Sequence, residues 1–284
     1  MPPEDYGGTQ RIVDQLCNGL SQRGHTVNLI AGPGSKIYSG QTYEYFNQTK
    51  NYINRFYRRS LFQLLCWQAS RKVDIVHSFK VWPEYLFFIN QINCPLIYHQ
   101  QNLFQENLAE RIKLSRRSPC KVVAISREHG KAFPSDMLSI IYNSVPIGKL
   151  TYSNKPIDPP YLAFLGRLTY DKGVDIAIEI AKKTGIPLKI AGTIQTEEKG
   201  AAEYFKTKVR PLLGDGCEYL GPITDSDKSS FLGNALALLF PIRWPEPFGI
   251  VMAESLACGT PIIGTRVGSV PEVVKHGETG FVSN

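Results

Sequence analysis

The chain has 284 residues, of which 43% are hydrophobic, and its formal net charge at pH 7 is +7. This composition excludes wholesale disorder, and the length suits two domains of ordinary size. No run approaches the roughly 18 unbroken apolar residues of a membrane span, and the N-terminus MPPEDYGGTQ has no basic-then-apolar signal peptide. The six cysteines lie far apart without a C-x-x-C pair, which argues against a zinc knot or a disulfide scaffold. The sequence therefore predicts a cytoplasmic protein.

The charge is unevenly distributed along the chain. Residues 1–150 contain 18 basic and 10 acidic side chains, a net +8, whereas residues 151–284 contain 14 and 15, a net −1. A basic first half favours an anionic partner there, such as a phosphate, a nucleic acid or a membrane surface. The asymmetry also indicates two structural units.

The first half alternates helical and strand-like segments. Residues 9–23 have the apolar spacing of a helix, which ends at Gly24, and residues 51–72 form a long helix. Further helices are predicted in EYLFFINQI and FQENLAERIKL. The strand-like segments are HTVNLIAG, YEYFNQ, VDIVHSF, PLIYHQQ, KVVAIS and MLSIIYN. This alternation predicts a parallel, doubly wound sheet.

A segment with four prolines, SVPIGKLTYSNKPIDPP, interrupts the alternation. After it the predicted strands are YLAFLGRL, PLKIAG, CEYLGPI, LALLFPI and TPIIGT, separated by helices. The sequence therefore predicts an N-terminal Rossmann-like domain over 1–148, a linker over 149–158 and a second Rossmann-like domain over 159–284. Because ligands bind at the carboxyl ends of such strands, the two α/β domains are expected to face a cleft.

The segment EPFGIVMAE, residues 246–254, has the strongest chemical signature. Gly249 allows a close backbone approach to a ligand, and a helix beginning near Ile250 offers N–H groups to a diphosphate. Glu254 lies one turn into that helix, where its carboxylate can accept two adjacent hydroxyls. The alternative is structural: an acid near a helix start favours the dipole, with Phe248 and Met252 in the core.

Two further segments offer phosphate-binding groups. Arg167 and Lys172 follow the first strand of the second domain, where two cations can neutralise a diphosphate; the alternative is a solvated loop. Gly7 and Gly8 open the first helix of the first domain, where small residues fit a phosphate; the alternative is a plain turn with Thr9 as the N-cap.

Together these segments resemble the family-4 glycosyltransferases with the GT-B fold, over essentially the whole chain. The most specific part is the Glu-x7-Glu spacing of EPFGIVMAE and its continuation SLACGTPIIGTRVGSVPEVVKHGETGFV; GRLTYDKG, YGGTQRIV and IIYNSVP also match. The resemblance implies roles for individual residues at the donor site. Arg167, Lys172 and Gly8 would bind the diphosphate, Thr260 would lie near a phosphate, and Glu254 would bind the ribose. The sugar would be held by Glu246 with the backbone of Phe248, Gly249, Ile250 and Val251, and His99 would lie over it.

The resemblance also implies an activity. Such enzymes transfer a sugar from a nucleotide-diphosphate sugar to a glycan, lipid or small-molecule acceptor, generally with retention, and His99, Glu246, Arg167 and Lys172 would form the catalytic set. No cofactor, metal or nucleic-acid partner is expected. Asp225-Ser226-Asp227 matches the D-x-D metal motif of another glycosyltransferase fold, but it precedes a helix, and capping explains it.

Other functions are less consistent with the sequence. A GT-B sugar-nucleotide epimerase is disfavoured by the extended match around EPFGIVMAE, and a dehydrogenase by the lack of G-x-G-x-x-G in either first βα turn. An inactive or incomplete glycosyltransferase is the serious alternative, because the first strand of the N-terminal domain and the C-terminal helices of the family look missing. His77 is interpreted as structural.

A basic, aromatic segment suggests a peripheral membrane contact. Residues 51–72 combine Arg55, Arg58, Arg59, Arg71 and Lys72 with Tyr52, Phe56, Tyr57, Phe62 and Trp67, and RIKLSRRSPCK adds a second basic cluster. Such a helix can lie on the anionic inner face of a membrane. The alternative, a packed helix with a solvated charged face, is favoured by the pattern alone.

Overall fold

The computed structural model describes residues 7–35, 39–44, 52–79, 92–102, 120–133, 135–196 and 200–284, without the side chains of 52–59. The described chain forms two compact units, Gly7–Tyr142 and Asn143–Asn284. The predicted helices EYLFFINQI and FQENLAERIKL and most of RIKLSRRSPCK lie outside the described residues, as do the side chains of Arg55, Arg58 and Arg59. No helix of the described part is both long and apolar enough to cross a bilayer.

The first unit is a parallel α/β structure. Its elements are α1 (Gly8–Gln22), β1 (Leu29–Ala31), β2 (Thr42–Glu44), α2 (Tyr52–Ser70), β3 (Val76–Ser78), β4 (Leu96–His99), β5 (Cys120–Ala124), α3 (Arg127–Gly130) and β6 (Leu138–Ile140). Strands β3 to β6 form one parallel sheet in chain order, and β1 pairs with β2 in a separate parallel ladder. A core cluster that includes Leu96, Tyr98 and Val122 packs against the four-stranded sheet.

The ends of two helices in this unit have clear local causes. Helix α1 begins at Gly8 with Gly7 as its N-cap, so Thr9 is inside the helix and is not the cap. The predicted stop at Gly24 is confirmed, since Gly24 has a positive φ of 84°. Helix α3 was not predicted; the hydroxyl of Ser126 accepts the N–H of His129 at 3.0 Å and caps its start.

The second unit is built on one six-stranded parallel sheet. Its strands are β7 (Leu162–Leu165), β8 (Leu188–Ala191), β9 (Cys217–Gly221), β10 (Ala237–Phe240), β11 (Ile262–Thr265) and β12 (Gly280–Ser283). Its helices are α4 (Val174–Thr184), α5 (Ala201–Tyr204), α6 (Asp225–Gly233), α7 (Ile250–Ala257) and α8 (Val270–Val273). Four further helical segments in the described residues are Ile147–Lys149, Tyr170–Lys172, Phe205–Val209 and Arg210–Leu212.

The strand order of this sheet fixes where a ligand can bind. The order is β12-β11-β10-β7-β8-β9, so the chain moves outward in one direction after β7 and in the other after β10. In doubly wound sheets the crevice at such a reversal, at the carboxyl ends of the strands, is where ligands bind. Here it lies beside the ends of β7 and β10.

Both faces of this sheet are covered. Leu238 and Phe240 of β10 belong to one core cluster, whereas Leu239 belongs to the cluster on the other face. Strands buried on both faces read as continuous apolar runs, which is why segments such as ALLF were recognisable in the sequence.

The predicted linker, residues 149–158, is bound to the second unit by backbone N–H groups. Thr151 donates to the Ser229 hydroxyl at 3.2 Å, Ser153 to the Cys258 carbonyl at 2.9 Å, and Ile157 to the Asn234 carbonyl at 2.9 Å. The segment is therefore held against the second unit by hydrogen bonds at three points along its length.

Candidate active site

Lys172 and Glu246 form an ion pair beside the reversal of the sheet. Lys172 ends the helical turn Tyr170–Lys172 after β7, and Glu246 lies in the loop between β10 and α7. The side chains are only 13% and 15% exposed. The indole N–H of Trp244 donates to the same Oε2 atom at 2.9 Å, and the Lys172 ammonium lies 4.8 Å from the centre of the Trp244 ring.

The remaining oxygen of Glu246 is available for a ligand. Lys172 and Trp244 both contact Oε2, and within the described residues the structure contains no hydrogen bond to Oε1. A largely buried carboxylate is costly unless its lone pairs are satisfied. The arrangement therefore fixes one oxygen of Glu246 and leaves the other able to accept a hydroxyl.

The loop that carries Glu246 is held by the turn that follows β11. The N–H of Ser269 donates to the Glu246 carbonyl at 3.0 Å. Gly268 has φ 57°, and a Cβ there would lie 2.5 Å from the Glu246 nitrogen. Only glycine can bring this turn so close to the Glu246 backbone.

Helix α7 begins at Ile250, as the sequence predicts. Gly249 is its N-cap with φ 71° and no side-chain cap, and Phe248 is buried beside it. A Cβ at Gly249 would lie 2.8 Å from Cε of Met252 and 3.4 Å from Cγ of Glu246. The free helix start, with the first N–H groups at Ile250 and Val251, therefore lies beside Glu246, and it suits an anion.

Arg167 lies in the loop after β7, with one guanidinium nitrogen 3.7 Å from a carboxylate oxygen of Asp171. This distance is long for a charge-assisted hydrogen bond, which normally falls at about 2.7–2.9 Å. Arg167 thus lies at the same strand end as Lys172.

Glu254 has a partner that the sequence did not reveal. The Lys228 ammonium in α6 donates to Oε1 of Glu254 at 2.7 Å. Lys228 also lies 3.1 Å from Asp225, one turn earlier in its own helix. The two glutamates of EPFGIVMAE are therefore each paired with a lysine from another segment.

A clamp formed by Arg243, Asp175 and Tyr204 holds the Lys172 turn, and its members were also missed. Arg243 contacts both oxygens of Asp175 at 2.8 Å and donates to the Tyr170 carbonyl at 2.9 Å, while its backbone N–H donates to the Asp171 carbonyl at 2.8 Å. Tyr204 donates its hydroxyl to Asp175 at 2.8 Å. Burial alone would raise the pKa of Asp175, but the hydrogen bonds from Arg243 and Tyr204 outweigh it and hold the pKa below its usual value.

Thr260 lies in the interior instead of on the surface of the site. Its side chain is 2% exposed, its hydroxyl donates to the Leu232 carbonyl at 2.6 Å, and its N–H donates to the Ser255 carbonyl at 3.0 Å. Its contact with a phosphate stays a prediction, and it would require at least one of these bonds to break.

His99 and His77 form a pair in the first unit. His99 ends β4 and is 9% exposed, and its Nδ1 lies 3.2 Å from Nε2 of His77 on β3. Both rings stack against Phe79 at 4.8 Å. Burial lowers the pKa of each histidine to about 4, with His77 and His129 adding to the effect at His99. His77 therefore contacts His99, a predicted site residue. Gly8, the other predicted site residue of the first unit, is the first residue of α1.

The D-x-D segment lies in the first turn of α6. The Thr224 hydroxyl accepts the N–H of Asp227 at 3.4 Å as the N-cap, and Asp225 contacts Lys228. Within the described residues no group of three or more histidine, cysteine or acidic side chains could hold a metal ion. The local contacts of both aspartates thus belong to the helix start.

Comparison with known proteins matches both halves of the chain to sugar-transferring enzymes. Residues 6–149 match Glycosyltransferase Family 4, and residues 151–284 match Glycosyl transferases group 1. The D-rhamnosyltransferase WbpZ of Pseudomonas aeruginosa is 24% identical over 98% of this chain and 79% of its own length. An uncharacterised glycosyltransferase of Methanocaldococcus jannaschii is also 24% identical, over 99% and 82%.

Solved structures have the same fold. Sucrose-phosphate synthase from Thermosynechococcus elongatus superimposes with a TM-score of 0.79 at 19% identity, covering 99% of this chain and 82% of that one. Anabaena HepE, solved with UDP and glucose, gives 0.74 at 18% identity, covering 100% and 83%. The two Rossmann-like units are thus those of the GT-B fold, and the chain belongs to glycosyltransferase family 4 as a glycosyltransferase enzyme.

Proposed function

We propose that this enzyme transfers a sugar from a nucleotide-diphosphate sugar to an acceptor hydroxyl with retention of configuration, without a metal ion. The observation that carries the proposal is the Lys172–Glu246 pair beside the free start of α7, at the reversal of the strand order. A cation and a helix N-terminus recognise a diphosphate, and a half-satisfied carboxylate recognises sugar hydroxyls. Anabaena HepE was solved with UDP and glucose and with UDP-glucose, which supports this donor class.

The second unit stabilises the leaving group in this mechanism. Breaking the bond between C1 and the phosphate oxygen leaves positive charge on the sugar ring and negative charge on the diphosphate. Lys172, Arg167 and the N–H groups of Ile250 and Val251 bind the diphosphate before the reaction, so little reorganisation is needed as its charge grows. Glu246 holds the sugar through Oε1, and Glu254 holds the ribose.

The acceptor attacks C1 on the face that the diphosphate leaves. Its hydroxyl proton passes to the departing phosphate oxygen as the new C1–O bond forms, so retention needs no enzyme nucleophile. Acceptors in the glycan, lipid and small-molecule classes all meet this requirement. The roles of Gly8 and His99, a cytoplasmic location and a contact of the basic first unit with an anionic membrane stay predictions.

Donor turnover tests this function. The full chain is incubated with UDP-, GDP- and ADP-sugars in EDTA, and release of the nucleoside diphosphate is measured. One donor class should be hydrolysed, and Lys172→Ala should lower that rate by about 10²–10³-fold, the usual loss when one preorganised charge-stabilising group is removed.

Lys275→Ala is the matched control for that variant. Lys275 also pairs with a glutamate, Glu278, at 2.7 Å, but both side chains are well exposed. This variant should keep the wild-type rate. Failure to hydrolyse any donor, or full turnover by folded Lys172→Ala, contradicts the proposal; a product with inverted configuration contradicts retention.

A further inference from the structure

Lys228 occupies a position that helix energetics do not explain. It is the fourth residue of α6, in the first turn, where the helix dipole disfavours a cation. Its side chain is 12% exposed, so its ammonium is largely withdrawn from water. Asp225 offsets part of this cost at 3.1 Å, but Asp225 is itself well exposed. The shorter contact, at 2.7 Å, is with Glu254 of a different helix.

Glu254 is equally hard to explain as a structural residue. It lies in the middle of the eight-residue helix α7, IVMAESLA, which is otherwise apolar apart from Ser255, and it is also 12% exposed. Only Oε1 receives a hydrogen bond from the described residues, the one from Lys228. A largely buried ion pair is weak evidence for stability, because apolar residues of similar size often serve as well.

We propose that Lys228 is a positioning residue for nucleotide recognition, an inference that rests on the proposed function of Glu254. Lys228 fixes one carboxylate oxygen of Glu254 and neutralises its charge. Oε2 and the remaining lone pairs of Oε1 are then presented to the two hydroxyls of a ribose. A carboxylate has about four lone-pair sites, so the lysine and both hydroxyls can be accepted together. Lys228 thus acts on the donor through Glu254.

The consequence is a preference for ribose over deoxyribose that depends on Lys228. Without the lysine, Glu254 is free to change rotamer, and the hydroxyl bonds lose their fixed geometry. A ligand that lacks the 2′-hydroxyl never made one of those bonds, so it loses less when Lys228 is replaced. If the role of Lys228 were purely structural, replacing it would lower the affinity for both ligands by the same factor.

Calorimetric titration of the full chain with nucleoside diphosphates tests this preference. The probes are UDP and 2′-deoxy-UDP, or the corresponding pair for the base that the donor assay selects. The wild type should bind the ribonucleotide at least about tenfold more tightly, since a hydrogen bond to a charged group corresponds to about tenfold or more in affinity. In Lys228→Met this preference should shrink to about twofold, and Lys228→Arg should restore most of it.

Matched variants separate positioning from stability. Asp225→Asn removes the exposed partner of Lys228 and leaves the contact with Glu254, so it should keep the ribose preference. Lys275→Met removes an exposed ion pair of the same length and should do the same. If Lys228→Met does not fold, Lys228→Gln keeps a hydrogen-bond donor without the charge and should show an intermediate preference.

The outcomes distinguish this inference from the proposed function. If the Lys228 variants lose affinity for both nucleotides by the same factor, so that the ribose preference is unchanged, the role of Lys228 is overturned while nucleotide binding by the enzyme is still supported. A wild type that binds both nucleotides equally also overturns it, because Glu254 then reads no hydroxyl. A wild type that binds none of UDP, GDP and ADP overturns the proposed function itself.

Discussion

The two units differ in the charge of the side chains at their strand ends. The second unit brings cations and carboxylates together there, in the pairs Lys172–Glu246, Lys228–Glu254 and Arg243–Asp175. The described part of the first unit instead ends β4 with His99 bonded to His77, and the low pKa of both rings keeps them uncharged at neutral pH. The second unit therefore presents paired charges at its strand ends, whereas the described part of the first presents uncharged hydrogen-bonding rings.

Among variants that act on the site indirectly, displacing the Glu246 loop should cause the largest loss of donor turnover. Gly268→Ala puts a Cβ 2.5 Å from the Glu246 nitrogen at a positive φ, so the turn must move and carry the Glu246 loop with it. We expect donor turnover to fall by about 100-fold, the loss that a misplacement of about 1 Å can cause. Steady-state donor hydrolysis measures it, and the same rate in a folded variant would contradict the assignment.

Gly277→Ala is the control for this substitution. Gly277 also has a positive φ, 81°, but nothing lies within 4 Å of a Cβ there. It therefore carries the backbone strain without the collision, and its turnover should stay near the wild-type rate.

Releasing the clamp on the Lys172 turn should have the next largest effect. Arg243→Ala removes the guanidinium that contacts Asp175 and the Tyr170 carbonyl, so we expect kcat/KM to fall by about tenfold. The variant should also lose about 1–3 kcal/mol of stability, less than a fully buried pair because both partners are partly exposed.

Denaturant unfolding and donor kinetics on the same sample separate the two losses. Arg243→Lys keeps the charge but not the two-pronged contact with Asp175, so it should recover stability more fully than kcat/KM. Equal recovery of both would show that the clamp does not position Lys172.

Acidification should weaken the first unit before the second. The folded pKa values of His77 and His99 are lowered from 6.5 to about 4, so the unfolded chain binds more protons between those values, and stability falls as the pH drops through this window. Asp175 has the opposite sign of charge. The pKa of Asp175 is lower in the folded chain than its usual 3.8, so this residue stabilises the fold at any pH above 3.8. That contribution is lost only as the pH falls below 3.8.

Thermal unfolding between pH 7 and pH 4, with histidine ring NMR signals as a function of pH, measures this difference. The double variant His77→Asn/His99→Asn should have a flatter pH dependence over the same window. Signals assigned to His77 and His99 that titrate near 6.5 in the wild type would show that these two rings are not buried as described.

The smallest expected effect is at Thr260. Thr260→Val removes the buried hydroxyl that donates to the Leu232 carbonyl, which keeps the N–H of Ala235 at 2.9 Å, so stability should fall by about 0.5–1.5 kcal/mol, the contribution of one ordinary hydrogen bond. The KM for the donor should stay the same if Thr260 is structural. A KM several-fold higher would instead support the contact with a phosphate that the family resemblance predicts.

The sequence predicted most of the second unit because its signals are local. Strands buried on both faces appear as apolar runs, and Gly249 marked the start of α7 at Ile250. It did not reveal the contact of Lys228 with Glu254 or of Arg243 with Asp175, since these residues are 26 and 68 positions apart and meet only when the sheet is assembled. His77 was interpreted as structural for a similar reason, because its neighbour His99 depends on how β3 pairs with β4.

One missed element did leave a local signal. Ser126 precedes the short helix α3 and accepts the N–H of His129 three residues later, a common helix start. The segment was too short for its apolar spacing to show. Helix α5 continues as Phe205–Val209 and Arg210–Leu212 with altered hydrogen bonding, a change that the spacing of apolar residues cannot predict.

The position of Trp244 gives the second unit an intrinsic optical reporter. Its indole N–H contacts Glu246 and its ring faces the Lys172 ammonium, so its emission depends on both charged groups. The other two tryptophans are Trp67 and Trp82, both in the first half of the sequence. A diphosphate that draws Lys172 away from Glu246 should change the electrostatic field on this ring. Fluorescence of a Trp67→Phe/Trp82→Phe variant would then follow donor binding in real time, without a label or a coupled assay.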